Sequence, residues 1–335
     1  MVMMSGGVDS SVAAAVLRDE GHEVTGVTLK LWGGESDSGC CSASDVEDAR
    51  RVAAQLGIPH YVFNFTDEFD AGVVAPYVAS YAAGETPNPC VECNRTMKFG
   101  RVIERAEQLG FDEVATGHHA RVADTPEGRA IARGADPAKD QSYVLYMLGP
   151  DEIARTRLPI GEMTKAEVRA RAHELGLRTA SKRESMDVCF ITRGGRSAFL
   201  GSRIGRRPGV IVDAAGTEVG AHDGIDHFTI GQRRGTGVAQ GARRYVVDIA
   251  TDTATVTVGP RDALLRDRVQ LRDLTFARTP PADVLAQTRA HSAPFAARLA
   301  GDTLVFAEPQ TRVAPGQVVA CYDGDVVLGG GIAAN

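Results

Sequence analysis

The chain has no apolar run approaching the roughly 18 residues that cross a bilayer, and its opening, MVMMSGG, has no signal-peptide layout. No membrane association is expected, and a cytoplasmic protein is. Cysteine is scarce: six in 335 residues, too few for a disulfide scaffold. In a reducing compartment Cys40, Cys41, Cys90, Cys93, Cys189 and Cys321 are buried fillers, metal ligands or catalysts. Positive charge is not in excess either. The net charge of −6 gives no global attraction to nucleic acid, so any RNA must be gripped by local basic patches. There is no internal repeat and no low-complexity tract. What remains, 43% hydrophobic and 24% charged, is ordinary for a globular chain with a real core. Its length suggests two or three domains.

Strand-like and helix-like segments alternate over the first 180 or so residues. Ser11 to Glu20 reads as a helix closed by Gly21, Val24 to Leu31 as a strand, and Ser44-Asp45-Val46-Glu47 as a capping box opening a helix that ends at Gly57. His60 to Phe65 is a strand, Met97 to Leu109 a helix, Glu113 to Thr116 a strand, and Thr164-Lys165-Ala166-Glu167 a second capping box, with Gly176 closing its helix. Such alternation implies α/β architecture, a parallel sheet with helices on both faces. Composition shifts near Arg193: glycine and arginine are frequent and helical periodicity is weak to Gly241. From Arg243 the runs RYVVDI, ATVTV, DTLVFA, QVVACY and DVVLGG are strand signals. The expected division is a catalytic domain over 1–195, a small central domain over 196–262 and a C-terminal β-barrel over 263–335.

Ser5-Gly6-Gly7-Val8-Asp9-Ser10-Ser11 directly precedes the first helix. Free N–H groups at a helix start, with glycines that let the backbone approach an anion, make a phosphate site. The alternative is a plain Gly-Gly turn with Ser and Asp as caps. The run lacks the lysine of G-x-x-x-x-G-K-S/T and is not G-x-G-x-x-G.

TPNPCVECN places Cys90 and Cys93 in C-x-x-C spacing. A structural zinc site needs four ligands, and no second C-x-x-C exists. A thioredoxin-like pair opens a helix, whereas Pro87 and Pro89 read here as an extended loop. Cys189, in SMDVCFI, is a buried core thiol or a partner for a distant cysteine. Arg95 and Lys98 either depress the Cys93 thiol pKa or are solvated face charges.

SGGVDSS resembles the PP-loop of the N-type ATP pyrophosphatases, although only Met1 to Met4 precede it where that family has a longer apolar strand. Seven segments then follow in one order: SGGVDSS, GCCSASDVEDARRVA, TPNPCVECNRTMKFG, ATGHHAR, KDQSYVLYML, SMDVCFI and FTIGQRRG. Together they resemble the tRNA-specific 2-thiouridylases, the MnmA (TrmU) family, from Ser5 to Ile332. The resemblance implies that Met3, Met4, Ser5, Gly6, Gly7, Val8, Asp9 and Ser10, with Leu29 and Gly117, contact ATP, accompanied by Mg2+. It implies Cys93 as nucleophile and Cys189 as persulfide carrier. It places Asn88, Pro89, Cys90, His118, Lys139, Asp140, Gln141, Arg289, Ala290 and Gln317 against the tRNA anticodon loop. This chain departs from the family at Cys90, where some members carry Asp, at His119, where most carry Tyr, and at Arg289-Ala290-His291, where most have an Arg-Tyr-Arg-like element.

The implied chemistry suits these residue types. Adenylation turns a carbonyl oxygen into a leaving group. A persulfide on Cys189 supplies sulfur, and attack by Cys93 leaves a Cys93–Cys189 disulfide for a reductant. The sulfur donor would be a cysteine desulfurase or a sulfur-relay protein. An iron–sulfur cluster on Cys90, Cys93 and Cys189 is the alternative use of the thiols. Basic pairs between Lys182 and Arg244, among them Lys182-Arg183, Arg206-Arg207, Arg233-Arg234 and Arg243-Arg244, together with Arg193, Arg196 and Arg203, form an RNA stripe or ordinary solvated faces. Two other functions fit parts of the sequence: a PP-loop amidotransferase or ligase, which needs no thiols, and a metal-stabilised RNA-binding module without catalysis.

Overall fold

Short apolar runs alternating with helical segments build a parallel sheet first. The computed structural model describes residues 1–32, 42–182, 188–191, 195–205, 207–238, 243–290 and 292–334. Cys40, Cys41, Arg183, Met186, Asp187, Arg193, Arg206 and His291 lie outside the described residues. The first strands are β1 (Val2–Met3), β2 (Gly26–Lys30), β3 (His60–Asn64), β4 (Val114–Ala115), β5 (Ala120–Thr125), β6 (Gly128–Arg133) and β7 (Thr156–Arg157). All but β5 and β6 join one parallel sheet in the order β3-β2-β1-β4-β7.

The helices are α1 (Val8–Asp19), α2 (Ala43–Leu56), α3 (Thr66–Phe69), α4 (Ala75–Ala82), α5 (Pro89–Glu92), α6 (Val102–Gln108), α7 (Pro150–Ala154), α8 (Lys165–Glu174) and α9 (Gly195–Ile204). Period-two alternation in β1 sends Met3 to one core and Val2 to the other. Apolar faces of α1, α2 and α8 fill the Val2 side, through Val12, Val52 and Val168 among others. The Met3 side holds Val27, Leu29, Tyr77, Cys93, Met97, Phe99 and Phe190. Helices therefore cover both faces, as the alternation implies.

The second capping box forms as read: Thr164 caps α8 and Glu167 returns the bond to the Thr164 N–H. The first is displaced. Ser42, two residues before the expected Ser44, is the N-cap of α2 and accepts from the Asp45 N–H at 3.1 Å. The larger correction concerns TPNPCVECN. It is not an extended loop: helix begins at Pro89, with the Asn88 side chain accepting from the Cys90 N–H at 3.1 Å. Proline at the first helical position loses no hydrogen bond, and asparagine is a preferred cap. The helix continues from Cys93 to Arg101 in π geometry and then into α6.

The region after Arg193 contains α9, which weak periodicity did not suggest. Its Phe199 and Leu200 are buried, and Arg196 donates to the Tyr81 hydroxyl at 3.2 Å. Strands β8 (Gly209–Val212), β9 (Glu218–His222), β10 (Tyr245–Ala250) and β11 (Thr255–Gly259) form a separate sheet, order β10-β11-β8-β9. RYVVDI and ATVTV thus belong to this central sheet.

The barrel comprises β12 (Leu265–Phe276), β13 (Asp283–Gln287), β14 (Phe295–Ala300), β15 (Thr303–Thr311), β16 (Val318–Asp323) and β17 (Val326–Ala333). Antiparallel pairing of β12 with both β15 and β17 closes it into six strands. The β5–β6 hairpin, which falls within the first 180 residues, attaches to the outside of the barrel through Ala132 opposite Val326. Cys321 is fully buried in the barrel core, and burial pushes its thiol up to about 12.

Candidate active site

The SGGVDSS run turns into α1 with Gly7 as an extended N-cap that offers no side chain to the first-turn N–H groups. An anion can take those donors in its place. Ser10 and Ser11 fold their hydroxyls back onto the Gly7 carbonyl, at 3.2 and 2.7 Å, and the Ser5 N–H donates to Ser10 Oγ at 3.1 Å. Gly6 has φ +72°, and a Cβ there would stand 2.2 Å from the Asp45 carbonyl oxygen. A Cβ at Gly117 would stand 2.5 Å from the Ser10 nitrogen. Only glycine fits at either place, so the loop is a bare-backbone cradle of the kind a phosphate chain needs. Leu29 is buried in the Met3-side core that also contains Cys93.

Charged groups fix the cradle from both sides. Asp9 accepts from Lys165 Nζ at 2.7 Å on each carboxylate oxygen and from His119 Nε2 at 3.2 Å. Burial pushes the Asp9 carboxyl up, but the hydrogen bonds from His119 and Lys165 outweigh it and hold the group below its ordinary value. On the other side Lys182 Nζ donates to the Gly6 carbonyl at 2.9 Å, Asp45 at 2.6 Å and Asp48 at 2.7 Å. Sequence reasoning placed Lys182 in the basic stripe and missed the hold of both lysines on this loop. Their partners lie 156 and 176 residues away, and Lys165 reads locally as a helix-start residue only.

Cys93 is buried in the core on the Met3 side, and Cys189, half-buried, packs against that same core. Cys90 is exposed, and none of the three is in a disulfide. The segment bearing Cys189 is anchored by Phe190, whose ring lies 5.3 Å from Tyr77 and 5.7 Å from Phe69. Cys93's helix approaches the glycine loop through Phe99, whose ring lies 6.0 Å from that of His118, the neighbour of Gly117. Arg95 is half-buried and donates to the Tyr146 hydroxyl at 3.4 Å, so it is not a solvated face charge. Among the described residues, no group of three His, Cys, Asp or Glu side chains gathers as a metal site. Cys90, Cys93 and Cys189, all described, do not assemble into one in this arrangement.

The expected tRNA contacts fall into two sets. His118 and Asp140 are buried. His118 Nδ1 lies 2.7 Å from Thr116 Oγ1, and burial with the nearby Lys98 charge drives its pKa well below the ordinary histidine value. Lys139 is half-buried and Gln141 exposed, the latter accepting from the His119 N–H at 2.9 Å. Arg289 and Gln317 line a cleft of about 600 Å³ together with Thr86, Thr229 and Gln232, and Ala290 is exposed beside it. Three parts of the chain meet at Thr86. Its N–H donates to the Pro315 carbonyl at 2.7 Å, its carbonyl accepts from Gln317, and its hydroxyl lies 3.5 Å from that of Thr229. Thr86 stands two residues before Asn88, so the barrel directly holds the lead-in to the Cys90–Cys93 helix.

The basic stripe is discontinuous. Lys182 is committed to Asp45 and Asp48, Arg196 to Tyr81, and Arg203 lies 4.0 Å from the Phe199 ring centre. Arg233, Arg234 and Arg243 are exposed.

Three family models match in sequence: the tRNA methyl transferase HUP domain over 1–193, the tRNA methyl transferase PRC-barrel domain over 197–260 and the aminomethyltransferase beta-barrel domain over 266–333. The tRNA-specific 2-thiouridylase MnmA of Roseiflexus sp. strain RS-1 is 49% identical over 99% of this chain and 98% of its own length. The chain belongs to the tRNA-specific 2-thiouridylase family. The MnmA of Frankia casuarinae is 48% identical over 99% of this chain and 97% of its own length. Among solved structures, the U34-tRNA thiolase NcsA from Methanococcus maripaludis with its 4Fe-4S cluster matches with 17% identity, 61% coverage of each chain and a TM-score of 0.34. No helix among the described residues of this 2-thiouridylase family member is long and apolar enough to cross a membrane.

Proposed function

We propose that this chain catalyses ATP-dependent 2-thiolation of the wobble uridine, position 34, of tRNA. The observation that carries the reading is the bare-backbone cradle of Gly6 and Gly117, joined by Phe99 and His118 to the helix that bears Cys93. Residues 1–195 serve as the catalytic unit, while 196–262 and 263–335 grip the tRNA around the cleft at Arg289 and Gln317. ATP binds at Ser5 to Ser10, with its phosphates on the α1 N-terminus. Mg2+ would accompany the triphosphate and offset its charge; Asp9, whose carboxyl His119 and Lys165 hold below its ordinary value, would be the loop's own carboxylate toward the ion once Lys165 turned to the phosphates.

The uridine O2 attacks the α-phosphate and pyrophosphate leaves. The terminal sulfur of a Cys189 persulfide then attacks C2, and AMP departs with the former O2. Cys93 thiolate attacks the Cys189 sulfur and breaks the S–S bond to the transferred sulfur. That sulfur stays on the base, and a Cys93–Cys189 disulfide forms, which an external thiol reductant opens. The persulfide comes from a cysteine desulfurase or a relay protein. The half-burial of Cys189 next to the core that holds Cys93 supports this thiol pairing over a cluster on Cys90, Cys93 and Cys189.

Nucleoside mass spectrometry of tRNA incubated with the chain, ATP and a persulfide donor tests the reading. The expected product is 2-thiouridine, with AMP and pyrophosphate in equal amounts. Turnover of ATP that persists without either cysteine and yields no thiolated base would instead favour an amidotransferase or ligase.

A further inference from the structure

A run of hydrogen bonds, interrupted by one covalent step from Gln141 to Asp140, leads from the proposed nucleotide loop to the barrel, and the function assigned to the site does not use it. It starts at Asp9, which accepts from His119 Nε2 at 3.2 Å. The His119 backbone is tied both ways to Gln141: its N–H donates to Gln141 Oε1 at 2.9 Å, and its carbonyl accepts from the Gln141 N–H at 2.8 Å. The next residue, Asp140, is buried and fully used. One carboxylate oxygen accepts from the Gly134 and Ser142 N–H groups, both at 3.0 Å; the other accepts from Ser142 Oγ and Arg133 Nη1, both at 3.0 Å. Arg133 Nη1 also donates to Gln287 Oε1 in the barrel at 2.9 Å. Gln287 Nε2 then donates to the carbonyls of Arg289 and Ala290, at 2.9 and 3.0 Å.

Arg133 is the joint of this run. It ends β6, and its N–H donates to the Asp325 carbonyl at 2.9 Å, which fixes the hairpin to the barrel. Its guanidinium lies 3.8 Å from the Tyr322 ring centre and makes the single side-chain bridge of the run between Asp140 and Gln287. Gln287 is itself buried, with 2% exposure, so its amide has no water to substitute for these partners. Meanwhile Arg289 and Ala290 are exposed at the rim of the cleft. Their two carbonyls are therefore held from inside by one amide whose orientation Arg133 sets.

We propose that Arg133 is a positioning residue that couples the nucleotide loop to the Arg289–Ala290 segment, so that tRNA at the barrel and nucleotide at the loop strengthen each other's binding. The inference rests on the tRNA and ATP reading given above. A ligand that orders one end of a shared network spares the second ligand part of that ordering, and linkage makes the gain reciprocal. Arg133 is not among the residues placed against either ligand. Its effect is on the coupling and not on either affinity alone.

The test is the dissociation constant of a non-hydrolysable ATP analogue for the full chain, with and without a saturating unmodified tRNA transcript. Wild type is expected to bind the analogue on the order of tenfold more tightly with tRNA present. Arg133→Met and Gln287→Met cut the run on either side of one bond. Each is expected to bind the analogue alone within about twofold of wild type while the tRNA-induced gain falls to near one. Thermal melts show whether each variant is folded, and Gln287→Met leaves the Arg133–Asp140 pair intact if Arg133→Met is not. A gain that survives in either folded variant overturns the proposal. Independent binding of both ligands by wild type overturns it while leaving the thiolation reading intact. Failure of wild type to bind tRNA at all overturns both.

Discussion

Lys182 Nζ donates to the carbonyl oxygen of Gly6 at 2.9 Å while bridging Asp45 and Asp48, so the chain just ahead of the Cys189 segment is pinned to the glycine loop. Lys182→Met leaves two largely buried carboxylates without their shared cation, although Arg178 still reaches Asp48 at 3.0 Å. The expected loss is about 1–3 kcal/mol of stability, read from urea unfolding. A rise in the KM for ATP is expected with it, because the Gly6 carbonyl loses its anchor.

Gly117→Ala tests the cradle. The new Cβ would stand 2.5 Å from the Ser10 nitrogen, so strand β4's exit loop must move away from α1. A fall in kcat/KM for ATP on the order of a hundredfold is expected, since displacements near 1 Å cost that much. Gly21→Ala is the control. Its φ of +89° makes alanine strained, yet nothing lies within 4 Å of the added atom. That change should cost about 1 kcal/mol of stability and leave pyrophosphate release unaltered.

The cysteines separate by chemistry. Cys93→Ser and Cys189→Ser should each abolish 2-thiouridine formation, and Cys321→Ser should leave it within about twofold. Alkylation with iodoacetamide at pH 8, followed by peptide mass spectrometry, should label exposed Cys90 and spare Cys321. With its thiol pushed up to about 12, Cys321 is thiolate in only about one molecule in ten thousand. Labelling of Cys321 at the Cys90 rate would contradict its burial.

His118 makes stability fall as pH falls. Its folded pKa lies well below 6.5, the ordinary value, so below pH 6.5 the unfolded chain takes up a proton that the folded chain refuses. Stability is complete above that pH and declines beneath it. Asp9 acts in a lower window: its depressed carboxyl contributes above its ordinary value of 3.8, and the contribution is lost as pH drops through the folded pKa. Between pH 7.5 and 5 the melting temperature should drop, and His118→Asn should flatten that drop. An unchanged slope in the variant would show that His118 titrates alike in the folded and unfolded chain.

Local chemistry made much of the fold legible. The Thr164 capping box and the helix stops at Gly21, Gly57 and Gly176 announce themselves within a few residues, and the alternating runs after Thr303 gave the barrel strands. The errors have physical causes. Asn88-Pro89 was read as extended because a residue before proline avoids helical backbone. That is also what an N-cap does, and the helix starts at that point. The β5–β6 hairpin is short and its partner strand lies nearly 200 residues later, so nothing nearby marks it. In the site, the glycine loop was visible because its function is carried by consecutive residues. The grip of Lys165 on Asp9 was not, since it depends on two distant elements meeting.

Strand β17 pairs with β16, β12 and β6 at once. A nascent chain on the ribosome therefore has no closed barrel until Val326–Ala333 has emerged. Translation that stops short of that strand leaves β12, β16 and β6 with unpaired edges, the kind that seed aggregation and draw chaperones and proteases. An interrupted product is thus marked for disposal even though its entire glycine loop and both Cys93 and Cys189 have already been made.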